Sequence, residues 1–176
     1  MKKRPLSYFE NCTYDSINSD KNPIDKDDVK AGVIIMSQKH IIVVRGTSSK
    51  KYGFPKGSYD TNDKCILDTA IRELYEETGI KISNNQISYG LETFIKFDRN
   101  NGKKSMGYFA CLIVEVSEDT MNDFITMSHL NKSELIELKK IKCESLNYLC
   151  NSTRQCTMVF KVFVKYLFPN RISRQL

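Results

Sequence analysis

The segment that most restricts the fold of this chain runs from Lys64 to Gly79. Apolar or small side chains recur in it at helical spacing, at Leu67, Ala70, Ile71, Leu74 and Thr78. This period predicts a helix over Lys64–Thr78 whose apolar stripe faces a core. Asn62 or Asp63 can cap its beginning, and Gly79 can end it because glycine readily takes the left-handed conformation.

The same segment places three glutamates, Glu73, Glu76 and Glu77, on another face of the predicted helix. Like charges one turn apart repel each other, and the helix dipole disfavours negative charge near the C-terminus. Three glutamates alone also fit a solvated acidic face, although such local conflicts concentrate at functional sites. A hard divalent cation would turn the repulsion into binding, because it prefers carboxylate oxygens.

The residues around these glutamates favour the metal interpretation. Gly57 lies in a turn, where its carbonyl can approach a metal without a Cβ in the way. Lys56 beside it can reach a phosphate, and Arg72 can neutralise part of the acidic cluster. This combination predicts a metal-assisted reaction on a phosphate-containing substrate.

The remaining sequence predicts a single mixed α/β domain over residues 29–176, preceded by a polar, irregular N-terminal arm over residues 1–28. Asn100-Asn101-Gly102 predicts a hairpin turn between two of its strands. The predicted strands are Lys30–Met36, His40–Arg45, Ile87–Phe97, Ser105–Glu115 and Leu138–Cys143, and a closing helix is predicted over Thr153–Phe168.

The run Arg-Glu-Leu-Tyr-Glu-Glu-Thr-Gly-Ile at 72–80 resembles the second half of the Nudix box at every specified position. The resemblance implies a Nudix-type α/β/α sandwich around a mixed sheet, and hydrolysis of a pyrophosphate bond with Mg²⁺ or Mn²⁺. It also implies the metal ligands: the Gly57 carbonyl and the carboxylates of Glu73, Glu76 and Glu77. Glu76 and Glu77 would take part in catalysis as well.

One departure from the box precedes this run. The segment from Gly57 to Arg72 is one residue longer than usual, and Asp63 or Lys64 stands where a structural glutamate belongs. The helix begins nearby, so we expect a loop to absorb the extra residue.

Two segments narrow the resemblance to the mRNA-decapping branch of the family. Tyr-Gly-Phe-Pro-Lys-Gly at 52–57 is similar to the Trp-Gly-Phe-Pro-Lys-Gly of decapping enzymes, and residues 68–79 also look like that branch. The similarity implies that Lys56 contacts substrate phosphate and that Glu134 or Glu137 acts as general base. It favours removal of the 5′ cap of mRNA, which releases methylated GDP and 5′-monophosphate RNA.

The formal charge of +6 agrees with a polyanionic partner such as capped RNA. Candidate contacts for the RNA strand beyond the cap are Lys2-Lys3-Arg4, Lys103-Lys104, Lys139-Lys140, Lys161, Lys165, Arg171 and Arg174. Two other functions remain open: hydrolysis of small nucleotides such as diadenosine polyphosphates, nucleotide sugars or inositol pyrophosphates, and RNA binding by a Nudix-fold module with little catalysis.

The sequence also predicts the setting of the protein. No apolar run has the roughly 20 residues that cross a bilayer, and no secretory signal begins the chain, so a cytoplasmic protein is expected. The six cysteines show no metal-ligand spacing and are expected to be reduced thiols.

Overall fold

A computed structural model describes residues 1–18, 24–98, 104–151 and 155–169. Its strands are β1 (Lys2–Arg4), β2 (Val29–Met36), β3 (His40–Gly46), β4 (Tyr52–Gly53), β5 (Lys56–Ser58), β6 (Ile87–Asp98), β7 (Lys104–Glu115) and β8 (Leu135–Lys142). Its α-helices are α1 (Leu6–Glu10), α2 (Tyr14–Ile17), α3 (Ile66–Thr78), α4 (Glu118–Met127), α5 (Leu146–Asn151) and α6 (Met158–Leu167).

The strands form one mixed sheet. Its main path is β1-β6-β7-β2-β3-β4, with β2 and β7 parallel along eight residue pairs. The predicted hairpin of β2 and β3 is present, but these strands pair only at Met36 and Ile41 and then diverge. β5 fills the resulting gap on the side of β2, and β4 fills it on the side of β3. β8 pairs with the other side of β3.

Helices cover both faces of this sheet, which confirms the predicted α/β/α sandwich. On one face, α3 and α4 bury Leu74 and Phe124 against alternate side chains of β2 such as Val33. On the other face, α6 buries Phe160 and Phe163 against side chains of β2 and β3 that point the opposite way. The predicted strands of β2 and β7 are buried on both faces, as their continuous apolar sequence indicates.

The N-terminal segment differs from the irregular arm predicted for residues 1–28. β1 extends the sheet by pairing with β6, and Phe9 of α1 is fully buried. A Cβ on Gly90 of β6 would lie 2.0 Å from the ring of Phe9, so the missing side chain at Gly90 makes the space for it. The elements here are three to five residues long, which is too short for a hydrophobic period to show them.

The boundaries of α3 are partly as predicted. Gly79 ends it at φ 71°, and its N–H bonds to the Tyr75 carbonyl. The helix begins at Ile66 instead of Lys64, and Cys65 precedes it without a side-chain cap. The predicted cap Asp63 is instead committed to other partners, described below.

The C-terminal half departs further from expectation. α4 was not predicted, although Ser117 caps it with an oxygen that accepts from Thr120 N. β8 begins at Leu135, three residues earlier than predicted, and the closing helix α6 begins only at Met158, after the separate helix α5. The predicted turn Asn100-Asn101-Gly102 lies outside the described residues.

Replacing Phe9 tests whether the N-terminal segment is part of the folded domain. Phe9→Ala would leave a cavity beneath Gly90 and should lower the free energy of unfolding by about 3–5 kcal/mol. Tyr148→Ala is the control, because that ring is 81% exposed and its loss should cost little. Urea denaturation of both variants measures the difference. Equal, small effects would mean that residues 1–18 are not docked on the sheet.

Candidate active site

The acidic face of α3 lies against β5. Gly57 is next to the carboxylate of Glu73, so closely that a Cβ at residue 57 would lie 2.1 Å from the Glu73 carboxylate. One turn further along α3, Glu77 is buried and its carboxylate accepts a hydrogen bond from the backbone N–H of Lys56 (3.1 Å). Strand β5 therefore brings the predicted glycine and lysine alongside two of the three predicted glutamates.

Arg72 holds this cluster together from its centre. Its Nη1 donates to Glu73 (2.8 Å) and to Glu76 (2.9 Å), and its Nη2 donates to the carbonyl of Ser58 in β5 (2.9 Å). Its Nε and Nη2 also form a two-pronged pair with Asp63, at 3.0 and 2.8 Å. Bidentate pairing of this kind is strong and fixes orientation.

Asp63 thus stands where the box has its structural glutamate. It also accepts from the hydroxyl of Thr69 (2.8 Å) and from the backbone N–H of Asp60 (3.1 Å). Burial raises the pKa of Asp63, but the hydrogen bonds from Arg72, Asp60 and Thr69 and the charge of Arg72 together outweigh burial, so the net pKa is lowered. The extra residue of the segment lies between Asp63 and the first helical residue, Ile66, where no helical register is disturbed.

Burial and mutual repulsion disfavour the ionised forms of Glu73 and Glu77 on the acidic face. Burial, with the charge of Glu73 in addition, raises the pKa of Glu77 from 4.5 to about 8, against the opposing charge of Lys56. Burial also raises the pKa of Glu73, although its bond to Arg72 acts in the other direction. Bringing positive charge to this face would relieve the cost of keeping both groups ionised.

The two residues predicted as alternative general bases lie in different places. Glu134 is exposed, in the turn before β8, and its charge is near enough to raise the pKa of both Glu73 and Glu77. Glu137 lies within β8 and accepts from the hydroxyl of Tyr52 (2.8 Å). Of the two candidates, Glu134 therefore lies near the acidic cluster and Glu137 lies away from it, beside Tyr52.

Backbone contacts that the sequence did not indicate fix the position of Glu134. Its carbonyl accepts from the N–H of Thr47 (2.8 Å) beyond the end of β3. The segment before it is joined to the end of α3, because the N–H of Asn131 donates to the carbonyl of Glu77 (3.0 Å). Hydrogen bonds between backbone atoms do not depend on residue type, so the sequence does not predict them and only the structure shows them.

The side chains of the acidic face suit a hard divalent cation by their chemistry. All their donors are oxygens, Glu77 is buried, the Glu73 side chain is 13% exposed, and the bare Gly57 leaves its carbonyl approachable. Among the described residues, no three acidic, histidine or cysteine side chains lie together in a way that could hold a metal ion as they stand. Glu73 and Glu76 share the guanidinium of Arg72 in this arrangement, so cation binding requires them to exchange that partner.

Of the predicted basic segments, two within the described residues direct some of their charges to other partners or to different faces. Arg4 is paired with the buried Glu92 (2.9 Å), and the neighbours Lys139 and Lys140 point to opposite faces of β8. Lys140 donates to Asn122 of α4 (2.5 Å). The side chains of Lys103, Lys104, Arg171 and Arg174 lie outside the described part of the chain.

Two further expectations concern cysteines and membranes. All six cysteines are buried free thiols, as predicted. In the described parts of the chain, no helix has the length and apolar character to span a membrane.

The burial of Glu77 predicts how the metal-free protein responds to pH. Because its pKa is higher in the folded state, the folded protein binds this proton more tightly, and stability falls as pH rises from about 4 to about 8. Glu77→Gln removes the titration and should be more stable than the wild type at pH 8 in chelator, by about 1–3 kcal/mol. Added Mg²⁺ or Mn²⁺ should stabilise the wild type more than the variant.

The measurement is denaturant unfolding between pH 5 and pH 8. Glu76→Gln is the control, since the Glu76 side chain is 53% exposed and its neutralisation should leave the pH dependence nearly unchanged. If the curves of Glu77→Gln and the wild type ran parallel, the acidic face would be an ordinary solvated surface.

Comparison with known proteins agrees with this geometry. Over 50 residues, 28% of this chain, the sequence is 46% identical to mRNA decapping complex subunit 2 of Schizosaccharomyces pombe, and the match spans 7% of that protein. A C. elegans Ap4A hydrolase has the same fold at 17% identity, with a TM-score of 0.51 over 80% of this chain and 98% of the other. So does the MutT Nudix hydrolase of Burkholderia pseudomallei, at 14% identity and a TM-score of 0.55 over 78% and 95%.

The sequence profile of the NUDIX domain matches residues 26–153, which is most of the chain. Nudix hydrolases in general use divalent metal ions and act on nucleotide-containing substrates. Together with the arrangement of α3 and β5, this match shows that the chain belongs to the Nudix family and is a Nudix hydrolase.

Proposed function

We propose that this Nudix hydrolase removes the 5′ cap of mRNA, releasing methylated GDP and 5′-monophosphate RNA. The observation that carries the proposal is the 46% identity, over 50 residues, to a decapping subunit. The segments 52–57 and 68–79 resemble the decapping branch, and Lys56 and Gly57 of the first lie beside the glutamates of the second. Because that match spans so little of the relative, the substrate has to be tested directly.

In the proposed reaction, Glu73, Glu76, Glu77 and the carbonyl of Gly57 hold Mg²⁺ or Mn²⁺. The bound ion would neutralise charge on the pyrophosphate oxygens and lower the pKa of a water. Glu134 lies near this cluster on a separate turn, so we assign to it the role of accepting a proton from the attacking water without being a ligand itself. Its solvent exposure lets the proton leave.

Lys56 supplies the positive charge opposite the carboxylates. Burial lowers the pKa of Lys56, and the nearby charges of Glu77 and Glu73 offset part of that lowering. The backbone N–H of Lys56 donates to Glu77, so the residue is held at the edge of the acidic face. We assign to it the contact with substrate phosphate, where it would bind charge that grows in the transition state.

Arg72 is a positioning residue in this scheme. It orients Glu73 and Glu76 before substrate arrives and keeps their mutual repulsion low. When those carboxylates turn to a cation, Asp63 and the Ser58 carbonyl still hold the guanidinium in place. Glu73 and Glu76 can therefore exchange Arg72 for a cation while Arg72 keeps its position.

The experiment that tests the proposal is a substrate panel with Mg²⁺ and Mn²⁺. It contains capped RNA, free cap analogue, diadenosine polyphosphate and a nucleotide sugar. We expect the highest kcat/KM on capped RNA, a steep fall of that value with salt, and no turnover in chelator. Preference for diadenosine polyphosphate would assign the protein to the small-nucleotide hydrolases, and metal-independent RNA binding without turnover would assign it to the binding modules.

Gly57→Ala tests the role of the bare backbone beside Glu73. The added Cβ would overlap the Glu73 carboxylate and push it from the site, so kcat should fall by about 100-fold or more while the protein stays folded. The matched control is Gly53→Ala, whose Cβ would meet the Thr157 hydroxyl at 3.3 Å, a tight contact that a small shift of that side chain would relieve. Unchanged kcat in Gly57→Ala would show that the Glu73 carboxylate does not act beside this glycine.

A further inference from the structure

We propose that Arg45 and Lys139, arranged around the ring of Tyr52, bind the phosphate backbone of the RNA strand that follows the cap. This inference rests on the proposed function, because it places the rest of the same substrate. The group of Arg45, Tyr52, Glu137 and Lys139 is called the Tyr52 cluster below.

The Tyr52 cluster holds its two cations in fixed positions. The ammonium of Lys139 lies 4.4 Å from the centre of the Tyr52 ring, and the guanidinium carbon of Arg45 lies 5.6 Å from it. The Tyr52 hydroxyl accepts from Lys139 (2.6 Å) and donates to Glu137 (2.8 Å). The Nε of Arg45 donates to the carbonyl of Lys50 (3.0 Å). Fixed cations lose little conformational freedom when they bind an anion.

All four side chains share one face of the sheet. Arg45 of β3 is paired with Tyr52 of β4 on one side and with Glu137 of β8 on the other, and directly paired residues point the same way. Lys139 is two residues beyond Glu137 and so lies on that face as well. This is the face covered by α6, whereas the acidic helix α3 covers the opposite one.

Two short connections bring the cluster near the acidic site despite the intervening sheet. Tyr52 is four residues before Lys56, so their Cα atoms are at most about 14 Å apart. Gly46, which follows Arg45, is paired with Leu135, which follows the proposed base Glu134. An RNA strand that leaves the acidic site past Glu134 would pass the end of β3 and reach the Tyr52 cluster.

The charges along this route suit a polyphosphate chain. The cluster and the adjoining loop contribute four cations, Arg45, Lys50, Lys51 and Lys139, against the carboxylates of Glu134 and of Glu137, the latter 3.0 Å from the Lys139 ammonium. Lys139 is 40% exposed, and Lys50 is exposed. Arginine binds phosphate through a rigid, planar set of donors, which suits a fixed guanidinium.

The same contacts would also clamp the edge strand β8 to β4, so a purely structural role has to be separated from RNA binding. Lys139→Gln removes one cation of the cluster. Lys140→Gln is the matched control, because it removes the same charge from the neighbouring residue on the opposite face of the strand. Lys139→Arg restores the charge, and Arg45→Gln tests the second cation independently.

The first measurement is the affinity of each variant for a 5′-monophosphate RNA oligonucleotide in chelator, by fluorescence anisotropy at several salt concentrations. We expect Lys139→Gln and Arg45→Gln to raise Kd about 3- to 10-fold and each to reduce the salt slope by about 0.7. Lys140→Gln should leave both values close to wild type, and Lys139→Arg should restore affinity. Equal effects of Lys139→Gln and Lys140→Gln, or no effect of either, would overturn the inference.

The second measurement separates this inference from the proposed function. On capped RNA, Lys139→Gln should raise KM and spare kcat, with hydrolysis of free cap analogue unchanged. If the wild type hydrolysed no capped RNA but Lys139→Gln alone weakened RNA binding, decapping would be wrong and the RNA surface would stand. If capped RNA were hydrolysed and Lys139→Gln only lowered the melting temperature, the cluster would be a clamp and decapping would stand.

Discussion

The guanidinium of Arg72 is the interaction on which the acidic site depends. It joins three parts of the chain: the loop at Asp63, the strand β5 through Ser58, and the acidic face of α3. Five donors in one plane allow a single side chain to meet all of these acceptors at once. A lysine at residue 72 would keep the charge and lose the geometry.

The arrangement also explains why three glutamates can share the last turns of one helix. Arg72 lies between Glu73 and Glu76, and Lys56 approaches Glu77 from the neighbouring strand. Each carboxylate has a cation nearby, yet Glu73 and Glu77 keep raised pKa values because burial dominates. Arg72 and Lys56 therefore offset only part of the cost of ionising Glu73 and Glu77. A divalent cation bound at this face would remove more of that cost.

The sequence predicts this site better than it predicts the surrounding fold. The helix α3 and its end at Gly79 follow from period and residue type, because each has a local physical cause. The turn predicted at Gly57 is wrong, because Gly57 lies within the short strand β5 and pairs with Ala31 of β2. The docking of Phe9 under Gly90 could not be predicted, since it depends on a glycine about eighty residues away along the chain. Glu134 and Glu137 were equal candidates in sequence, and only the register of β8 against β3 separates them. The role of Asp63 was open for a similar reason: its pairing with Arg72 depends on where α3 begins.

The divergence of β2 and β3 gives the segment from Tyr52 to Gly57 its importance. If the two strands paired along their whole length, no gap would exist for β4 and β5, and this segment would be an ordinary loop. Because the gap exists, one end of the segment pairs with Arg45 on β3 and the other end pairs with Ala31 on β2. Tyr52 therefore lies on the face covered by α6, while Gly57 and the backbone of Lys56 contact the acidic helix α3. A change in this short segment therefore acts on both surfaces, and substitutions must be made outside it, at Arg45 or Lys139, to separate binding of a strand from chemistry on a pyrophosphate.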